Sequence, residues 1–128
     1  MGLVGPLGAG KTCFVQGLAR GLGVTGYVRS PTFILIHEYA GPVPLYHVDL
    51  YRVDPADLDG LGLEEILEGG GVTAIEWADR AAGALPAEQL SVEFAFGEKE
   101  SDRLLRLEAR GDRYRVILED MARCASSR

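Results

Sequence analysis

Gly5-Pro6-Leu7-Gly8-Ala9-Gly10-Lys11-Thr12 places two glycines, a lysine and a hydroxyl at a fixed spacing directly after the apolar pair Leu3-Val4. This Gly-x4-Gly-Lys-Thr pattern dictates a strand, a tight loop and a helix in that order. Glycines let successive backbone N–H groups turn toward one point and leave room for phosphate oxygens to approach the main chain. Lys11 is spaced to reach the β- and γ-phosphates of a nucleoside triphosphate, and the Thr12 hydroxyl to take one position on Mg²⁺. Gly5, Pro6, Leu7, Gly8, Ala9, Gly10, Lys11 and Thr12, with Cys13 beyond them, form the expected phosphate-binding set. The helix after the loop adds its positive end. Phe14, Leu18 and Leu22 recur every four residues along it, and Gly21 and Gly23 are expected to close it.

A strand feeding such a loop belongs to a parallel sheet with helices packed on it. The fold class expected is therefore α/β, a P-loop NTPase-like mixed sheet flanked by helices. The chain has 128 residues, 47% hydrophobic and 25% charged, which suits one compact P-loop domain over residues 1–128. Leu3 and Val4 make a short delivering strand, which reads as a truncated N-terminal strand, since buried parallel strands usually run about five residues or more.

The formal net charge is −6, which weighs against an independent grip on nucleic acid. A nucleic acid is expected to arrive with a protein partner. Cys13 and Cys124 lie far apart and form no metal-spaced cluster, so they read as buried or idle thiols. No charged leader and no apolar run of membrane length is present, so no membrane association is expected and the compartment expected is the cytoplasm.

Further along, Ser30-Pro31-Thr32 reads as a turn, with its proline presetting the backbone. Phe33, Leu35, His37 and Tyr39 alternate as in a strand, Gly41 to Pro44 turns the chain, and Leu45 to Val48 returns it to Asp49. Asp54 to Gly60 reads as a second turn region. Leu63, Ile66 and Leu67 mark the inner face of a short helix, Glu64, Glu65 and Glu68 its wet face, and Gly69 to Gly71 its stop. Val72 to Ile75 reads as a buried strand ending in Glu76-Trp77, with two more strands at Leu90 to Phe96 and Leu104 to Leu107. A last helix is expected, capped by Asp112, with an apolar stripe of Tyr114, Ile117, Leu118 and Met121 and a frayed tail from Cys124.

The phosphate loop needs a carboxylate at the end of a neighbouring strand to hold the cation or its waters. Asp49 and Glu76 both qualify. The uniformly apolar strand before Glu76 better suits a central strand beside the loop's own, so Glu76 is assigned the metal role with Thr12, and Asp49 a water-positioning or switch role. Trp77 either packs near the nucleotide or fills the core. His37 and His47 face each other across the hairpin and read as sheet residues, because a metal site needs more neighbours. Arg29, Arg52 and Arg80 lie near these segments, and none can be singled out for the γ-phosphate.

These blocks together, Gly5 to Thr12, Ser30-Pro31-Thr32-Phe33, Glu38-Tyr39, Leu45 to Arg52, Leu61-Gly62 with Glu64-Glu65, and Ile75-Glu76-Trp77, closely resemble the TsaE (YjeE) family in order and spacing from Leu3 to about Leu107. The resemblance implies an ATP-binding, weakly hydrolysing, Mg²⁺-dependent ATPase required for threonylcarbamoyladenosine formation in tRNA. It implies TsaD and TsaB proteins as partners, with tRNA reached only through that complex. It further implies ATP contacts along the loop and near Trp77, magnesium positions at Thr12 and Glu76, and switch-like or catalytic parts for Ser30, Thr32 and Asp49 beside Lys11. Pro6 departs from the family, where an acidic residue is frequent, and Cys13 replaces a more usual polar neighbour. The family also carries a few tens of residues before the loop strand.

A small-molecule P-loop kinase is one alternative, although no arginine-rich lid or acceptor pocket can be read. A nucleotide-gated assembly factor in which hydrolysis is dispensable is another. A GTPase reading fails because the guanine-reading Asn-Lys-x-Asp pattern cannot exist in a chain without asparagine.

Overall fold

The computed structural model describes residues 1–6, 10–24, 26–32, 36–50, 62–81 and 85–126. Loop positions Leu7, Gly8 and Ala9, the segment Phe33 to Leu35 and the turn region Asp54 to Gly60 lie outside them. Among the described residues seven strands form one mixed sheet: β1 (Gly2–Val4), β2 (Gly26–Thr32), β3 (Ile36–Ala40), β4 (Leu45–Asp49), β5 (Val72–Glu76), β6 (Gln89–Phe96) and β7 (Arg103–Arg110). Their spatial order is β2-β3-β4-β5-β1-β6-β7. Helices α1 (Lys11–Gly21), α2 (Leu63–Glu68) and α3 (Asp112–Ser126) complete the frame, with a 3-10 turn at Ala78–Ala81.

The four central strands β4, β5, β1 and β6 run parallel, so their C-terminal ends share one edge. Antiparallel strands flank them on both sides. Strand alternation splits the core in two. Leu3, Leu45, Ala74, Val92 and Phe94 face Val15 of α1, whereas Ile36, Val48, Leu50 and Ile75 pack with Leu63 of α2. A continuous apolar run in β5 follows from being covered on both faces, and its residues Thr73 to Glu76 are all buried. The amphipathic reading of α2 holds, with Leu63 buried and Glu64, Glu65 and Glu68 exposed.

Four expectations need correction. Ser30-Pro31-Thr32 lies in β2, not in a turn. This is the sheet's outer strand, and its register with β3 shifts between Tyr27 and Arg29 and again between Arg29 and Thr32. An irregular edge strand is where a proline without an N–H is tolerated. Asp112 is the first residue of α3 and not its cap: the Gly111 carbonyl accepts the first helical bond from the Arg115 N–H at 3.1 Å. The Asp112 carboxylate instead accepts from Arg115 Nη1 at 3.0 Å. Helix α3 also runs on through Cys124 to Ser126, where fraying was expected. Cys13 and Cys124 are both exposed, each on a wet helix face, so the buried reading of the two thiols does not hold.

Candidate functional site

The end of β1 and the start of α1 are pinned to the sheet by one residue. Phe94 on β6 meets Phe14 edge-on, with ring centroids 5.6 Å apart, and its backbone passes beneath Gly5. A Cβ on Gly5 would stand 2.8 Å from both the Cβ and the carbonyl oxygen of Phe94, so only glycine fits there. Gly10 is needed for another reason: its φ of 101° turns the chain into α1, where its carbonyl accepts from the Phe14 N–H at 3.0 Å. The motif's glycines thus serve the path of the main chain at both ends of the loop.

Lys11 opens α1 and is 5% exposed. Its Nζ donates to the Gly5 carbonyl and lies 3.6 Å from the centre of the Trp77 ring. Such a desolvated cation on an indole face gains about 2 kcal/mol. Burial pushes the Lys11 pKa down, and the charges of Glu76, Asp49 and Asp79 oppose that shift. Trp77 reaches this place through an unusual backbone, with φ at 60°, which ends β5 immediately after Glu76. A bulky side chain in that region costs on the order of 1–3 kcal/mol and persists only where its surroundings hold it. Trp77 also packs against the core on the α2 side, which meets the core-filling role weighed for it.

Glu76, 6% exposed, ends β5, the strand between β4 and β1. This is the central position expected of the metal acid. Leu3 is its Cα partner on β1 and Asp49 its partner on β4. Both carboxylates therefore sit at one strand-end level, beside the start of α1. His47 Nε2 is hydrogen-bonded to Glu76 Oε2. The hairpin reading of the histidines holds as well: His37 and His47 are cross-strand partners, with rings 6.3 Å apart.

The structure thus brings Lys11, Asp49, Glu76 and Trp77 together. Thr12 and Cys13 are exposed in the first turn of α1, Pro6 is exposed, and Gly5 and Gly10 are half-buried. Thr32 lies on β2 opposite Ile36, on the far side of β3 from Asp49. Two residues escaped the sequence reading. Asp79 adds negative charge to the surroundings of Lys11 from the 3-10 turn, a place signalled only by its spacing of three from Glu76. His47 was assigned a plain sheet position, and its link to Glu76 depends on the register of two strands far apart in the chain. Among the described residues no group of three or more His, Cys, Asp or Glu is placed to hold a metal ion alone, and no helix is long and apolar enough to cross a membrane.

A family model described as threonylcarbamoyl adenosine biosynthesis protein TsaE matches residues 1–105. The chain is 43% identical over 122 residues to the tRNA threonylcarbamoyladenosine biosynthesis protein TsaE of Bacillus subtilis, covering 94% of this chain and 76% of that protein. It is 46% identical over 104 residues to the Nostoc protein of the same name, covering 77% of this chain and 64% of that one. With the Treponema pallidum TsaE protein the identity is 49% over 85 residues, covering 66% and 63%. The chain therefore spans somewhat under two thirds of the length of the last two relatives. The crystal structure of Bacillus subtilis YdiB superposes with a TM-score of 0.80 at 38% identity, covering 97% of this chain and 76% of that one. A seven-stranded sheet of this order, a complete phosphate-loop motif opening α1, and a match over residues 1–105 together make the chain a member of the TsaE family.

Proposed function

We propose that the protein binds ATP with Mg²⁺ and hydrolyses it slowly, in support of threonylcarbamoyladenosine formation in tRNA, acting with TsaD and TsaB proteins and meeting tRNA only through them. The observation that carries this reading is the convergence of Lys11 with Glu76 and Asp49 at the C-terminal edge of the parallel strands, where open α/β sheets take their ligands. Family membership supports the pathway, and the residues support the chemistry.

The donor set fits Mg²⁺. Glu76 offers a hard carboxylate in a nearly dry position, Asp49 stands opposite it, and Thr12 brings a hydroxyl at the first turn of α1. A site of few protein oxygens is what this cation accepts when phosphates and waters complete its shell. Once bound, the cation would draw charge from the phosphate oxygens. Lys11 exchanges the Gly5 carbonyl for the β- and γ-phosphates, and its ammonium offsets charge developing in the transition state. Asp49 orients the attacking water, and the backbone N–H groups of Gly10, Lys11 and Thr12 at the opening of α1 hold the phosphates in line.

The test is ATP hydrolysis measured alone and with TsaD, TsaB and tRNA. Stimulation by these partners is expected, with none by small hydroxyl acceptors. Phosphate transfer to such an acceptor would replace this reading with a kinase. Persistence of tRNA modification in Glu76→Gln, with hydrolysis lost, would make nucleotide binding the function and turnover dispensable.

A further inference from the structure

Glu76, with its side chain 8% exposed, needs a donor to hold its carboxylate in one rotamer, and His47 supplies it. The link follows from strand register. His47 and Asp49 lie on the same face of β4, and Ala74 and Glu76 on the matching face of β5, with His47 beside Ala74 and Asp49 beside Glu76. Ala74 presents only a methyl group to its partner. The imidazole therefore has room to lean along the strand and reach Glu76 on the diagonal. A carboxylate accepts and does not donate, so Nε2 carries the hydrogen and Oε2 receives it. The ring itself is 13% exposed and has His37 against it on the neighbouring strand, so it has little freedom to turn away.

We infer that His47 is a positioning residue, fixing the Glu76 carboxylate through Oε2 so that its other oxygen is presented to the divalent cation of a bound nucleotide. This rests on the reading of Glu76 as the metal acid. His47 touches neither nucleotide nor cation and acts only through Glu76. Residues that orient a ligating group are worth about 10–100-fold in metal affinity.

The experiment measures binding of a non-hydrolysable ATP analogue by calorimetry, in Mg²⁺ and in EDTA. It uses wild type, His47→Ala, His47→Gln, Glu76→Gln and the double variant His47→Ala/Glu76→Gln. Wild type is expected to bind more tightly in Mg²⁺. His47→Ala should lose about 10–100-fold of that Mg²⁺-dependent gain and keep its affinity in EDTA. His47→Gln, whose amide can still donate to Oε2, should recover part of the loss. In the Glu76→Gln background, His47→Ala should add nothing. An unchanged Mg²⁺ dependence, an equal loss in EDTA, or an additive loss in the double variant would each overturn the inference. Should His47→Ala not fold, His47→Gln is compared with His47→Met, which has similar bulk and no donor, and equal Mg²⁺ dependence in those two would overturn it too. Wild type showing no binding at all would overturn the nucleotide reading itself, and that outcome is recognisable without any variant.

Discussion

Lys11 is a cation placed where water scarcely reaches, held by a carbonyl and an indole face. Its folded-state pKa lies below that of an unfolded lysine, about 10.4, so the unfolded chain binds the proton more tightly. Stability should then rise as the pH climbs from the folded value toward the unfolded one. Tyr46 works the other way. Its pKa is raised by burial and by Glu38, so its contribution is present below the unfolded value and lost at higher pH. The Lys11 effect is isolated by the difference between wild type and Lys11→Met, which should shift toward wild type between neutral pH and about pH 10; a constant difference in urea midpoint would contradict it. Gly5→Ala should cost about 1–3 kcal/mol, since its methyl meets the Phe94 backbone, and denaturant unfolding would measure it. At this scale the sequence was most readable where one residue type is obligatory, as at Gly10 and Lys11. His47 was unreadable because its partner lies 29 residues away and is chosen by register, which side-chain identity does not encode.

The elements divide into those the pattern predicts and those that context overrides. β5 was legible because a strand covered on both faces is apolar throughout, and that same burial makes it costly to disturb. Ile75→Ala, at a site 1% exposed, should cost about 2–5 kcal/mol, whereas Val116→Ala on α3, 53% exposed, should stay within about 0.5 kcal/mol. Similar losses for the two in urea titrations would mean that α3 is packed more tightly than its exposure indicates. β2 was misread because Pro31 punctuates the sequence like a turn, while pairing with β3 tolerates it at an irregular edge. The reach of α3 was underestimated for a related reason. Ion pairs from Arg115 to Asp112 and from Arg123 to Asp120 each span about one turn on its wet surface and add small local support, which an apolar stripe alone does not reveal.

Across the whole molecule the candidate site lies at one edge of the sheet, because four parallel strands end there together. A ligand at that edge touches β1, β4, β5 and α1 at once and should tighten the entire fold. At a hundredfold excess over its dissociation constant, Mg²⁺-ATP should stabilise the protein by about 2.7 kcal/mol, read as a rise in melting temperature. Lys11→Ala should show no such rise, and a full rise in that variant would count against the site. The parallel ladder carries another consequence, for the order in which the molecule assembles. β1 leaves the ribosome well before β5 and β6, yet its partners are Ile75 and Glu76 on one side and Ser91 to Glu93 on the other. Closing such long loops is slow, and contacts of this separation form late. Pulsed hydrogen exchange during refolding should find the Ile75 amide, which donates to the Met1 carbonyl at 2.9 Å, protected after the local β6–β7 hairpin. During synthesis β1 must therefore wait, without its β6 partner, until some ninety residues of chain have followed it out of the tunnel.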